Sequence, residues 1–114
     1  MPIEFEDSSE DLRRITISGR LDIQGTAEID MKFTSLATSA KRRILVDLSG
    51  VSFLASIGIR SIITNAKAQN KRGGRMVLFV GDNTAVAKTL ESTGIDSLVP
   101  TFSDAVQAEQ ALLA

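Results

Sequence analysis

The chain has 114 residues, enough for one domain that buries about two-thirds of its unfolded surface without disulfides or metals. It is 43% hydrophobic and 24% charged with a formal net charge of −1, which excludes a bulk basic field for nucleic acid or acidic membrane. It has no cysteine for thiol chemistry, no histidine for a triad or zinc site, and no tyrosine or tryptophan for stacking bases.

Ile3 and Phe5 alternate with Glu4 and Glu6, and Ile15 and Ile17 with Thr16 and Ser18. This period of two predicts strands over residues 3–7 and about 12–18. Ser8-Ser9-Glu10-Asp11 between them is turn-like, so the pair reads as an antiparallel hairpin. Gly19 to Gly25 reads as a loop, in which Arg20 and Asp22 either reach a shared surface or form a local ion pair. From about Thr26 to Ala40 the residues Ile29, Phe33, Leu36, Ala37 and Ala40 fall on one helical face. Lys41-Arg42-Arg43 follows, where cations oppose the negative end of the helix dipole. With no second basic cluster or aromatic platform, the triplet reads as a helix end and not as a nucleic-acid site.

Ile44 to Leu48 is a branched apolar run broken only by Asp47, as a strand buried on both faces requires. Leu54-Ala55-Ser56-Ile57-Gly58 then turns the chain into a helix with the stripe Ile59, Ile62, Ile63 and Ala66, stopped by Lys71, Arg72 and Gly73-Gly74. Met76 to Val80 is the next central strand. Asp82 or Asn83 caps a helix to about Thr93, with Val86, Ala87 and Leu90 inward and Gly94 as its stop. Leu98-Val99 reads as a short strand, pushed to an edge by Pro100. Ser103 reads as the cap of a last helix with Ala105, Val106, Leu112 and Leu113 inward. The expected fold is α/β, one domain over 1–114: a mixed, mostly parallel β-sheet packed with about four α-helices, in the order β-β-α-β-α-β-α-β-α. Right-handed crossovers place the helices against the sheet.

In an open α/β sheet, ligands and partners dock at the carboxyl ends of strands, and the turn around Ser56 lies there. A serine between loop and helix is a preferred N-cap, although Ile59 leaves it without a capping box. Gly58 suggests a close approach, of a neighbouring strand or of a partner backbone. No Walker A or G-x-G-x-x-G sequence occurs. A hydrolase built on Asp22, Asp47 and Ser56 would lack a base. The chain therefore reads as a binding module and not an enzyme, with no metal or cofactor. No run approaches the roughly 18 apolar residues of a membrane helix, and MPIEFEDSSED is no signal peptide, so a cytoplasmic protein without membrane insertion is expected.

Val46-Asp47-Leu48-Ser49, Val51 and Phe53, then Ala55-Ser56-Ile57-Gly58, resemble the STAS domain of bacterial anti-sigma factor antagonists. That family has a strand ending VDLS-x-V-x-F, an Asp-Ser-Ser/Thr-Gly turn and a helix. Gly19-Arg20-Leu21-Asp22 is similar to its G-x-L-D after the second strand, so the resemblance covers nearly the whole chain. It implies the STAS fold and identifies Ser56 as the residue phosphorylated by a partner kinase. Ala55 replaces the family aspartate and Ile57 its hydroxyl residue. The resemblance implies a module that binds an anti-sigma factor, a switch-type serine kinase, through Ser56 and a surface of Arg20, Asp22, Asp47, Ala55, Ile57, Gly58, Arg60, Ser61 and Thr64. The alternative within the same family is a constitutive subunit of a lipid-transport ATPase, which a standing apolar patch at Ala55 and Ile57 would suit.

Overall fold

The computed structural model describes residues 2–8, 11–38 and 41–114. A five-stranded sheet runs β1 (Ile3–Asp7), β2 (Leu12–Leu21), β3 (Arg43–Leu54), β4 (Arg75–Phe79) and β5 (Thr101–Phe102), with spatial order equal to chain order. β1 pairs antiparallel with β2, and every other pairing is parallel. The connections are α1 (Ile23–Ala37), α2 (Ser56–Lys71) and α3 (Thr84–Thr93), and α4 (Ala105–Leu113) follows β5. This is the mixed, mostly parallel sheet with four helices expected from the sequence.

The sheet is covered unequally. Ile15, Ile17, Ile44, Val46, Leu48, Met76 and Leu78 form one face of the core with Ile29 and Phe33 of α1, Ile59 and Ile62 of α2, and Val86 and Leu90 of α3. The other face carries a smaller core of Leu12, Leu45 and Val77 beneath Ala108 and Leu112 of α4. Alternation along β3 sends Ile44, Val46 and Leu48 into one core and Leu45 into the other, which explains why the run Ile44–Leu48 is apolar but for Asp47. Each such aliphatic side chain contributes about 1.5–3 kcal/mol through burial.

Several boundaries differ from those read in the sequence. β3 continues to Leu54, and α1 begins at Ile23 with Asp22 as its cap, so the expected 19–25 loop is mostly strand end and helix start. Gly25 is a first-turn residue packed so closely that a Cβ would meet the Arg20 carbonyl. The expected strand at 98–99 is displaced: Ile95–Ser97 form a 3-10 turn and the edge strand is Thr101–Phe102. Asp104, not Ser103, caps α4, accepting from Val106 N and Gln107 N at 2.8 and 3.2 Å. Once α4 starts at Ala105, positions 105, 108 and 112 share its inward stripe. Val106 (61% exposed) and Leu113 (44%) fall outside it. Ser9, Glu10 and Ala40 lie outside the described residues.

Candidate functional site

β3 pairs with β4 only from Arg43 to Asp47, while its pairing with β2 runs on to Leu54. Residues 48–54 therefore project beyond β4, on a ladder with irregularities between Thr16 and Ser18 and between Gly19 and Arg20. Asn83 braces this projection. Its side-chain amide donates to the carbonyls of Val51 (2.7 Å), Ser49 (3.2 Å) and Leu48 (3.3 Å). Its Oδ1 accepts from Val86 N at 3.2 Å and so caps α3. One side chain thus serves carbonyls that β4 no longer reaches and an N–H that helix geometry leaves unpaired.

The braced strand delivers the chain to Ala55, whose N–H donates to the Leu21 carbonyl at 3.0 Å. Leu21 and Leu54 are paired, so Asp22 and Ala55 leave the sheet side by side and start α1 and α2. Ala55 has extended geometry (φ −88°, ψ 169°) and its carbonyl accepts from Gly58 N and Ile59 N. Ala55 is therefore the N-cap, without a capping side chain, and Ser56 is the first helical residue. The expected Ser56 cap is corrected on that ground. Ser56 is exposed, at the positive end of the α2 dipole, where an anion is stabilised by about 0.3–1 kcal/mol.

Beside it, α1 and α2 border a groove of about 370 Å³ lined by Ile23, Ala27, Asp30, Ile57, Arg60 and Thr64. Ile23 is 75% and Ile57 37% exposed, so the rim near Ser56 is apolar. Ser61 Oγ donates to Asp30 Oδ1 at 2.6 Å across the groove and ties the helices together. The sequence reading missed the α1 wall. Ile23, Ala27 and Asp30 sit off the core stripe, and their spacing has meaning only once α1 begins at Ile23.

The residues singled out from the sequence separate into three places. Ser56, Ile57, Arg60, Ser61 and Thr64 lie on the exposed start of α2 or in the groove, with Ala55 half-buried at the turn. Arg20 and Asp22 form an exposed pair at the end of β2, joined by a 3.4 Å hydrogen bond, with the Arg20 guanidinium 4.6 Å over the Phe53 ring. Asp22 titrates below its usual range, chiefly because its carboxylate accepts the Gly25 N–H and secondarily because Arg20 is near. Asp47 and Gly58 stand apart. Gly58 is buried where a Cβ would approach Leu21 Cβ and Leu54 Cδ1 to 3.0 Å, so the close approach is that of the neighbouring strand end.

Asp47 is 5% exposed on the sheet face that carries α4. It accepts from Arg14 Nη2 and Ser49 Oγ, each at 2.6 Å, and from Ser49 N at 2.9 Å. Burial pulls its pKa upward most strongly, but the Ser49 hydroxyl, the Arg14 guanidinium and the Ser49 N–H together leave it lowered. Its carboxylate is engaged within the fold. Among the described residues no cluster of potential metal ligands occurs, and no helix is long and apolar enough to cross a membrane. The arrangement offers an exposed hydroxyl on a helix start and an adjoining apolar-rimmed groove, which suits modification and docking.

A family model described as "Mlab, STAS domain" matches residues 5–100. The anti-sigma-B factor antagonist of Staphylococcus aureus (strain NCTC 8325 / PS 47) is 24% identical over 100 residues, covering 87% of this chain and 92% of that protein. Among solved structures, an anti-sigma factor antagonist from Mycobacterium paratuberculosis superposes with a TM-score of 0.87 at 20% identity, over 98% of this chain and 93% of its own. The Bacillus cell fate determinant SpoIIAA in its phosphorylated form gives a TM-score of 0.68 at 17% identity, over 96% and 97%. The fold expected from the motif residues is borne out.

Proposed function

The chain belongs to the STAS domain family, and from that premise we propose that it is an anti-sigma factor antagonist that binds a switch-type serine kinase and is released when Ser56 is phosphorylated. The observation that carries this reading is the exposed Ser56 at the first position of α2, beside the apolar-rimmed groove between α1 and α2. The Staphylococcus relative named an anti-sigma-B factor antagonist and the phosphorylated form of SpoIIAA support it by analogy.

The partner lies across Ile23, Ile57, Arg60 and Thr64 and covers Ser56. It acts by contact, without turnover by this chain. Phosphorylation adds about −1.5 to −2 charges, which the α2 N-terminus tolerates in the free domain. In the complex the same group must be desolvated against Ile23 and Ile57, and each 1.4 kcal/mol of that cost weakens binding about tenfold.

The test compares wild type, Ser56→Ala and Ser56→Asp by titration calorimetry with the kinase that co-purifies with the chain, and by mass spectrometry of Ser56. Ser56→Asp is expected to stay folded and bind more weakly, while Ser56→Ala binds and takes no phosphate. Equal affinity for wild type and Ser56→Asp, with Ser56 unphosphorylated in every preparation, overturns the switch. It would favour a standing contact of the kind a transport-ATPase subunit makes, for which Ala55 and Ile57 supply apolar surface.

A further inference from the structure

The triplet Lys41-Arg42-Arg43 has no basic companion near it in the chain, and the parallel pairing of β3 and β4 supplies one. Arg43 and Arg75 are neighbours in register, and Arg75 N donates to the Arg42 carbonyl at 2.7 Å. Gln69 Nε2 donates to the Lys41 carbonyl at 2.9 Å, which brings the end of α2, with Lys71 and Arg72, against the same loop. Six of the thirteen basic residues thus gather at the amino ends of β3 and β4 in a chain of net charge −1. Between them is a concavity of about 370 Å³ lined by Asp11, Arg42, Arg43, Gly73, Gly74 and Arg75.

Neutralisation of helix dipoles accounts for only part of this charge. α1, α2 and α4 run towards this end, each contributing about −0.5 of a charge within its last turn. Asp11 is the acidic side chain among the described lining residues, and Ala114 also lines the concavity. Asp7 is taken up by Arg13 at 2.6 Å. Leaving Arg43 aside, and setting Asp11 and all three helix ends against the other five cations, an excess of about two to three positive charges remains. Arg42, Lys71, Arg72 and Arg75 are exposed, and none belongs to the ion pairs found among the described residues.

We propose that this end of the domain is a second docking surface, which takes an acidic segment of a partner protein independently of Ser56. Arginine predominates over lysine here, and its planar fork matches a carboxylate with two hydrogen bonds. Arg42, Arg43 and Arg75 line the concavity, so an extended chain entering it meets several cations at once, whereas a flat bilayer touches only the rim. Among the described residues no aromatic side chain lines the concavity, so bases have no stacking platform there. The full length of β3 separates this surface from Ser56, well beyond the screening length of about 8 Å at physiological salt.

The test titrates a fluorescent oligoglutamate peptide into the full chain at low and physiological salt. Saturable binding is expected, lost by about tenfold or more in Arg42→Glu/Arg72→Glu. The same binding is expected to persist in Lys88→Glu, a charge change on the exposed side of α3, and in Ser56→Asp. Circular dichroism melting checks that each variant is folded. No saturable binding at low salt, or an equal loss in Lys88→Glu, overturns the proposal. Tighter binding of a duplex oligonucleotide or of phosphatidylcholine–phosphatidylglycerol vesicles also overturns it and reassigns the surface to that class of polyanion.

Discussion

Asn83 at the start of α3 donates to the Val51 carbonyl at 2.7 Å, and through this bond a helix cap holds the strand that leads into the Ser56 turn. The amide serves two masters with different atoms, so substitutions can separate them. Asn83→Asp keeps an oxygen for Val86 N but sets a carboxylate against the carbonyls of Leu48, Ser49 and Val51. Asn83→Ser keeps a capping group without the reach. Both are expected to lose about 1–3 kcal/mol in urea unfolding, Asn83→Asp more. Amide exchange should rise across residues 49–54 while the first turn of α3 stays protected in Asn83→Asp. Uniform loss of protection in both elements would contradict the brace.

Ala55 occupies cap geometry without a capping group, which makes it a position where a polar residue should stabilise. Ala55→Asp is expected to add about 0.5–2 kcal/mol by accepting from the first free N–H groups of α2. The same change should raise the rate of Ser56 phosphorylation by a cognate kinase. Calorimetric melting checks the first effect and a phosphorylation time course the second. A lowered melting temperature would show that the half-buried turn cannot solvate the charge.

The pH dependence of stability has a fixed sign. Asp7, Asp22 and Asp47 are all shifted below their ordinary value of 3.8, and Asp47 is the most enclosed of them. A carboxylate with a depressed folded pKa contributes stability fully present above its unfolded value and lost as pH falls through the folded one. Unfolding free energy is therefore expected to show no loss from these groups between about pH 5 and 7 and to fall below about pH 4. Asp47→Asn should cost about 1–3 kcal/mol at neutral pH and flatten that acid limb, because the Arg14 pair no longer titrates. Denaturant titrations across this range measure both.

Gly58 is enclosed by Leu21 and Leu54, with an added Cβ 3.0 Å from side-chain atoms of each and 3.2 Å from the Leu21 carbonyl. Gly58→Ala must move the start of α2 away from the end of β2, at an expected cost of about 1–3 kcal/mol. Restoring room with Leu54→Val in the same chain should recover part of it. Strictly additive losses in the double variant would mean that the two side chains do not compete for this space.

Most of the sheet and its helices were legible from simple patterns: a period of two in Ile3-Glu4-Phe5-Glu6, continuous apolar runs at Ile44–Leu48 and Met76–Val80, and i, i+3, i+4, i+7 from Ile59 to Ala66. The turn at Ser56 was legible as a place but not in its detail. The sequence shows no reason for β3 to run to Leu54, because that projection is held by pairing with β2 and by Asn83, which serves the carbonyls of Leu48, Ser49 and Val51 from more than a helix away. Gly25 read as a loop residue although it lies inside α1, where the Arg20 carbonyl excludes a side chain. The groove and the basic end are both products of pairing between segments, and no single window of the chain contains either.

The sheet lays its strands down in the order in which they are synthesised, with none inserted between earlier neighbours. On a ribosome, β2 can find β1 as soon as the hairpin emerges, and β3 and β4 then add in turn to an existing edge. No strand has to be displaced to admit a later one, so vectorial synthesis and native topology run in the same direction. The turn at Ser56 emerges before Asn83 does, and its brace is the last part of that site to be made.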